Sequence, residues 1–100
     1  MSLPVEFLSG ADDDLQVAFN RFEDYREGFG VEFMMAVDAN LARVCSLSRN
    51  SSTLHGEVRR QVMQRFPFGI FYEAFPKRIL VTAILDLRQD PERIRTRLRS

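Results

Sequence analysis

The second half of the chain holds three consecutive segments with the residue pattern of β-strands, separated by short turns. Residues 58–65 alternate along their length, and the alternation places Val58 and Val62 on one face and Met63 on the other. A second segment covers residues 68–74, and Pro76 marks a tight turn after it. Residues 79–87 are almost continuously apolar, which predicts a central strand covered on both faces over most of its length. Strands joined by turns this short pair antiparallel.

The first half predicts one short strand followed by two helices. Residues 3–8 are apolar at alternate positions, and Ser9-Gly10 is expected to break that strand. Apolar side chains at helical spacing then predict a helix over residues 11–27 and a second over residues 31–48. Gly28 and Gly30 lie between them and favour a helix end. The connection is short, so the helices should form an antiparallel hairpin.

Asp90-Pro91 is typical of a helix start, and a short arginine-rich helix to about residue 98 completes the order βααβββα. This order predicts an α+β fold in which the helical hairpin packs on one face of a largely antiparallel sheet. A chain of 100 residues suits one domain spanning residues 1–100. The expected core is Leu15, Phe19, Phe22, Phe33, Val37, Leu41, Ile70, Tyr72, Val81 and Ala83.

The charges are balanced overall but are divided unequally along the chain. Residues 1–50 carry nine acids and four bases, a net of −5, and residues 51–100 carry five acids and ten bases, a net of +5. A zero net charge argues against general attraction to nucleic acid, while the division could place a basic face opposite an acidic one. The chain has no run long enough to cross a membrane and no signal-peptide pattern, so we expect a cytoplasmic protein.

The side chains that most often carry chemistry give little support for catalysis. Cys45 is the only cysteine and lies in a helical pattern, which favours a buried, inert thiol. His55 is the only histidine and lies in a polar loop with Ser51 and Ser52, where nothing positions a catalytic triad. The aspartates 12–14 start the first helix, and we interpret them as complementing the helix dipole rather than as a metal site. No metal or cofactor is expected.

Arginines on and beside the strands are the candidate functional residues. They could converge on one face or edge of the sheet, because they come from neighbouring strands. They could then bind phosphates or an acidic partner segment. The alternative is a solvated face with ion pairs to the acidic helices, and composition does not separate the two. The candidates are Arg59, Arg60, Arg65, Arg78 and Arg88.

The order and spacing of several motifs resemble the ParE/RelE superfamily of bacterial toxins from type II toxin–antitoxin systems. Tyr25, Gly28-Phe29-Gly30 and Phe33 resemble the pattern in the family's helical hairpin. Residues 55–59 (His-Gly-Glu-Val-Arg) and 65–72 (Arg-Phe-Pro-Phe-Gly-Ile-Phe-Tyr) resemble the arginine-bearing strand and Phe-Pro hairpin that follow. The resemblance covers nearly the whole chain. It implies the toxin fold and a cognate ParD-like antitoxin, in a toxin–antitoxin hetero-oligomer or with a homodimeric toxin.

The superfamily divides by target, and this chain resembles ParE more closely than RelE. RelE-like members are ribosome-dependent endoribonucleases of messenger RNA that use basic side chains and often a C-terminal tyrosine. In our alignment Gly69 stands at one of their arginine positions and Ile94 near their tyrosine, so that only Arg60 and Arg88 match basic positions. General acid–base chemistry then lacks a candidate. The resemblance therefore implies a non-catalytic, ParE-like inhibitor of DNA gyrase, as in plasmid stabilization proteins, with the nuclease as the alternative.

Two positions depart from the family pattern near the end of the last strand. Asp86 stands where many relatives have histidine, and Gln89 where many have a second arginine. A carboxylate beside Arg88 could pair with it and weaken a basic surface. A degenerate toxin that binds antitoxin and harms nothing is therefore a third possibility.

Overall fold

The computed structural model describes residues 3–49 and 57–99, and its elements follow the predicted order βααβββα. The strands are β1 (Val5–Phe7), β2 (Val58–Val62), β3 (Phe68–Phe75) and β4 (Arg78–Asp86). The helices are α1 (Ser9–Tyr25), α2 (Phe29–Arg49) and α3 (Pro91–Arg99). The predicted α+β class, with a helical hairpin on a sheet, is confirmed.

The four strands form one sheet in the order β1-β4-β3-β2. β2–β3 and β3–β4 are antiparallel, as the short turns predicted, and Pro76-Lys77 makes the turn of the second pair. β1 pairs parallel with β4, with Val5 opposite Ile79. The parallel pairing is possible because α1 and α2 carry the chain away from β1 before the sheet continues.

A bulge in β4 gives this strand two different faces. Val81 and Ala83 pair with adjacent residues of β3, which leaves Thr82 as an extra residue between them. The extra residue reverses the alternation, so Val81 and Ile84 face the helical hairpin while Ala83 and Leu85 face α3. The prediction that this strand is covered on both faces is confirmed.

Phenylalanines fill the space between the sheet and the end of the helical hairpin. Phe22 lies at the centre of this cluster, with ring centroids of its neighbours 5.0–5.8 Å away at edge-on or tilted angles that suit aromatic pairs. Those neighbours are Phe29, Phe33, Phe66 and Phe68. Of the predicted core, Phe33, Val37, Leu41, Ile70, Tyr72, Val81 and Ala83 are buried, and Leu15, Phe19 and Phe22 are half-buried.

Both long helices begin two residues before their predicted starts, and a glycine lies in each first turn. The first strand ends at Phe7, before Ser9-Gly10, as predicted, but α1 already begins at Ser9, and a Cβ on Gly10 would lie 2.9 Å from Nη2 of Arg97. In α2, a Cβ on Gly30 would lie 2.8 Å from the carbonyl oxygen of Phe19. At both positions glycine lets another residue approach the helix backbone closely. Among the described residues, only Gly28, with φ of 85°, has the left-handed conformation of a helix end.

The third helix covers the opposite face of the sheet with a thin layer. Ile94 and Leu98 pack on a small cluster formed by Phe71, Ala83 and Leu85, and no residue of α3 is itself buried. An ion pair adds to these contacts: Nη1 and Nη2 of Arg97 donate to the Asp14 carboxylate at 2.7 and 2.8 Å.

Candidate functional site

The predicted arginines do not form one basic cluster, because three of them pair with acids of their own chain in different places. Arg65 donates to Glu32 of α2 at 3.0 Å. Arg78 donates to Glu6 of β1 at 2.6 Å, at the far end of the sheet. Arg65 therefore forms an ion pair with an acidic helix, as the alternative interpretation described, whereas Arg78 and Arg88 pair with carboxylates of the strands β1 and β4.

Arg59 and Arg60 lie on opposite faces of the edge strand β2. Arg59 pairs in register with Tyr72, whose side chain packs with α2 residues, so Arg59 is on the face of the helical hairpin. Arg60 pairs with Phe71 on the α3 face, where its Cγ would lie 3.4 Å from a Cβ on Gly69. Arg60 is exposed and makes no ion pair among residues 3–49 and 57–99.

Arg88 is held by the carboxylate that departs from the family pattern. Its Nε and Nη2 donate to Oδ1 and Oδ2 of Asp86 at 3.1 and 2.9 Å, and its backbone N–H donates to Oδ1 at 2.8 Å. The hydrogen bond from Arg88, with its positive charge, lowers the pKa of Asp86 below its ordinary value. Asp86 lines a cleft beside α1, and Arg60 lies on the α3 face.

Gly69 and Ile94, the two residues that our sequence alignment matched to functional positions of RelE-like nucleases, are packing residues in the structure. Gly69 is buried, and a Cβ there would meet Leu87 at 3.0 Å and Phe71 at 3.3 Å. Ile94 packs on the cluster under α3. Around Arg60 and Arg88, these positions therefore supply neither an acid nor a base.

An apolar groove runs between α2 and the segment that follows β2. Its lining includes Met35, Ala36 and Ala39 of α2, with Arg43 and Arg65 providing positive charge, and its volume is about 420 Å³. The side chain of Met35 is 66% exposed although it is large and apolar. Glu32 is the acid of this groove, and hydrogen bonds from Arg65 and Arg26 lower its pKa. We call this feature, lined by Glu32, Met35, Ala36, Ala39, Asn40, Arg43, Gln64 and Arg65, the α2 groove.

The remaining chemical candidates have structural roles where the structure describes them. Cys45 is buried, its Sγ lies 3.7 Å from the carbonyl oxygen of Leu3, and burial raises the pKa of the thiol. His55, Ser51 and Ser52 lie outside the described residues. Within residues 3–49 and 57–99, no group of three or more His, Cys, Asp or Glu side chains is placed to hold a metal ion. In the same ranges, no helix is long and apolar enough to cross a membrane.

Sequence reasoning missed the role of Asp14 and overlooked the arginines of α3. Only Asp12 lies in the first turn of α1. Asp14 instead accepts a hydrogen bond from the backbone N–H of Ile84 at 3.0 Å. The same carboxylate also forms the ion pair with Arg97. Asp14 and Arg97 are 83 residues apart in the chain, so no local sequence pattern predicts their contact. The available signal was the arginine-rich composition of α3, with arginine at positions 93, 95, 97 and 99, although helical geometry places these residues on different sides of the helix.

The comparisons with known proteins agree with the fold that the sequence motifs implied. No protein-family model matches the chain, and no curated protein matches it. Among solved structures it is similar to a chain described as the chromosomal ParDE toxin–antitoxin (TA) system from P. aeruginosa, with a TM-score of 0.65 and 14% sequence identity. The alignment covers 87% of this chain and 98% of that chain. The ParE-like fold is thereby confirmed.

Proposed function

We propose that this chain is the toxin of a type II toxin–antitoxin pair, neutralised by a ParD-like antitoxin and acting as a ParE-like inhibitor of DNA gyrase. The observation that carries the proposal is the fold likeness to a chain of the ParDE system, which extends over 98% of that chain. The motifs in residues 25–33 and 55–72 support it independently. A cytoplasmic location is part of the proposal, because gyrase acts there.

The α2 groove suits the antitoxin. Antitoxin tails of this class are disordered alone and fold on binding, and such segments favour an apolar groove that can be covered lengthwise. Met35 and Ala39 supply the apolar surface, and Arg43 can pair with an acidic side chain, while Arg65 already bonds Glu32 at the edge of the groove. Arg65 is the predicted partner-binding arginine that lines this groove, and Arg59, Arg60, Arg78 and Arg88 remain candidates elsewhere on the molecule.

The packing around Gly69 and Ile94 favours an inhibitor over the alternative ribosome-dependent endoribonuclease. A nuclease needs groups that move protons as well as arginines that stabilise phosphate. The two positions considered hold a glycine and an isoleucine, both engaged in packing on the α3 face. Arg60 lies on the α3 face of β2, while the guanidinium of Arg88 is already bound by the Asp86 carboxylate.

Target and toxicity are tested by expressing the chain alone and by assaying the purified protein. Growth arrest on induction, together with loss of gyrase supercoiling, is the expected result. Cleavage of messenger RNA in a translating extract, with normal supercoiling, would replace the inhibitor with the nuclease. Normal growth, with retained binding to the product of a short neighbouring reading frame, would identify a degenerate toxin.

The antitoxin surface is tested with Met35→Glu, matched by Leu47→Glu on the same helix. Both side chains are exposed, at 66% and 59%, but only Met35 lines the α2 groove. We expect Met35→Glu to weaken co-purification with the antitoxin by at least about tenfold, since burying a new charge at an apolar contact costs more than about 1.4 kcal/mol. Leu47→Glu should bind normally. Equal loss by both variants would place the antitoxin elsewhere.

A further inference from the structure

One side of α2 faces away from the rest of the molecule and carries apolar side chains. Phe33 and Val44 are fully buried in the core. On the opposite side of the helix, Val31 and Met35 are 52% and 66% exposed, and two alanines beside them are exposed as well. The solvent side of a helix is normally polar, so this side has the composition of a contact surface. We call it the outer face of α2, and it comprises Val31, Met35, Asp38, Ala39, Ala42 and Arg43.

Two opposite charges flank the apolar part of this face. Asp38 and Arg43 are exposed, and neither side chain makes an ion pair or hydrogen bond within residues 3–49 and 57–99. They are five residues apart, which separates them by about 140° around the helix axis and places them on its two flanks. Across the apolar part of the face they cannot reach each other, so both charges need a partner from outside the helix.

The spacing of these charges fits a second copy of the same helix. In a parallel two-stranded coiled coil, a residue on one flank meets the residue five positions later on the other flank of the partner helix. Asp38 of each copy would then lie beside Arg43 of the other, so the pair would contain two such contacts. Met35, Ala39 and Ala42 would form the seam between the helices, because their spacing of four and three residues is that of successive core positions in a heptad.

The fold leaves this arrangement open and disfavours the reverse orientation. The buried side of α2 lies opposite its outer face, so the bodies of two copies would point away from each other about a two-fold axis parallel to the helices. The small side chains of Ala39 and Ala42 allow the two helices to approach closely. In an antiparallel pair, each flank would meet the same flank of the partner, which brings acid beside acid and base beside base.

We propose that the outer face of α2 is the contact surface of a parallel homodimer, in which Asp38 of each copy pairs with Arg43 of the other. The seam is short and the charges are exposed, so the dimer is weak and reversible. Met35, Ala39 and Arg43 also line the α2 groove. A regulatory consequence rests on the proposed function: the antitoxin and the second copy compete for the same side chains, so the antitoxin separates the dimer.

The test is sedimentation equilibrium of the purified chain alone over a wide range of protein concentrations. We expect a monomer–dimer equilibrium that weakens with added salt. Asp38→Arg and Arg43→Asp should each raise the Kd of the dimer by at least about tenfold, because each reversal replaces two attractive contacts with two repulsive ones. The double variant exchanges the charges and should restore the dimer. Asp24→Arg, at an exposed position of α1, is the matched control and should leave the Kd unchanged.

The other results overturn the dimer. A monomer at every concentration would remove it, and a dimer that survives both charge reversals would place the contact elsewhere. Equal weakening by Asp24→Arg would show a general effect of charge. A double variant that stays monomeric would show that Asp38 and Arg43 do not pair. Thermal melts confirm that each variant is folded.

The competition with the antitoxin has its own readout, so its failure is distinguishable from failure of the dimer. Asp38 lies outside the α2 groove, so Asp38→Arg should prevent dimerisation without weakening co-purification with the antitoxin. Wild type and Asp38→Arg should form antitoxin complexes of the same mass. A larger complex for wild type would show that the contact between toxin chains survives, which would overturn the competition and leave the dimer standing.

Discussion

The two faces of the sheet are covered in different ways. On the face of the helical hairpin, large side chains such as Phe33, Ile79 and Val81 are completely buried between α1, α2 and the strands. On the α3 face, a single short helix with no buried residue covers Phe71, Ala83 and Leu85. One face is a continuous apolar core, and the other is a small apolar contact fastened by the Arg97–Asp14 ion pair.

The hairpin face therefore determines most of the stability, whereas the α3 face determines which charges reach the surface. Burial on the hairpin face supplies most of the apolar area removed from water, which is the main favourable term in folding. The α3 face contributes less area but brings Arg93, Arg95 and Arg99 to the surface. Substitutions on the first face should therefore change unfolding, and those on the second should change how α3 is held.

The largest effect is expected for Phe33→Ala. Phe33 is fully buried and contacts the rings of Phe22, Phe66 and Phe68, so truncation loses transfer free energy and leaves a cavity. The free energy of unfolding should fall by about 3–5 kcal/mol in urea denaturation. The control is Val31→Ala on the same helix, exposed at 52%, with an expected change under about 0.5 kcal/mol. Similar decreases in the free energy of unfolding for both variants would show that stability does not depend mainly on this core.

A smaller loss is expected for Asp14→Ala, which removes the acceptor of the Ile84 N–H and the partner of Arg97 together. Loss of these two interactions should lower the free energy of unfolding by about 1–3 kcal/mol, as measured by urea denaturation. Amide hydrogen exchange in α3 should accelerate more than exchange in α2, because α3 loses its ion pair. Asp13→Ala is the matched control, and equal exchange profiles for the two variants would show that Asp14 does not hold α3.

A subtler effect is expected for Gly10→Ala, measured with and without Arg97→Gln. Alanine at a helical position normally stabilises by about 0.5–1 kcal/mol over glycine. Here its Cβ would lie 2.9 Å from Nη2 of Arg97, so the wild-type background should lose part of that gain. The full gain should return in the Arg97→Gln background. A double-mutant cycle of urea midpoints measures the coupling between Gly10→Ala and Arg97→Gln. Strict additivity would show that the two positions do not interact.

The smallest effect is expected for Arg88→Ala, since Arg88 is 70% exposed. The melting temperature should fall slightly at neutral pH. Arg88 lowers the pKa of Asp86 from its ordinary 3.8, so the pair stabilises the fold above about pH 3.8 and loses that contribution as the pH falls through the folded-state pKa. Wild type and variant should therefore converge in acid.

The same variant sharpens the functional question. Unchanged growth arrest with Arg88→Ala would leave Arg88 a structural partner of Asp86. Relief of growth arrest with a normal melt would make it a target-binding residue. Asp86→Asn, which frees Arg88, is the complementary control and should strengthen arrest in the second case.

Local patterns predicted the fold well because each depends on neighbours in the chain. The turn at Pro76-Lys77 appears as expected, and the strand predicted over residues 58–65 and the helix predicted over residues 11–27 are present, although they end earlier, at Val62 and Tyr25. The errors were at the helix starts, because α1 and α2 begin at Ser9 and Phe29 rather than at residues 11 and 31. Glycine favours a helix end locally, but Gly30 lies inside α2, where a Cβ would lie 2.8 Å from the carbonyl oxygen of Phe19.

The candidate site was less predictable, because it depends on which charges meet across the fold. The sequence placed arginines on neighbouring strands, but strand direction, edge position and local acids then separated them. Arg60 lies on the α3 face, and Arg65 pairs with Glu32. A pattern of charges gives no information on such partners, since ion pairs form between residues brought together only by packing.

The sequence by itself determined the order of elements, the helical hairpin, the antiparallel strands and most of the core, because periodicity and turn chemistry act over a few residues. The tertiary structure alone decided that Thr82 bulges to give β4 two covered faces, and that Asp14 holds α3 through Arg97. It also decided which arginines remain unpaired. Those outcomes depend on contacts between residues far apart in the chain, which no local pattern encodes.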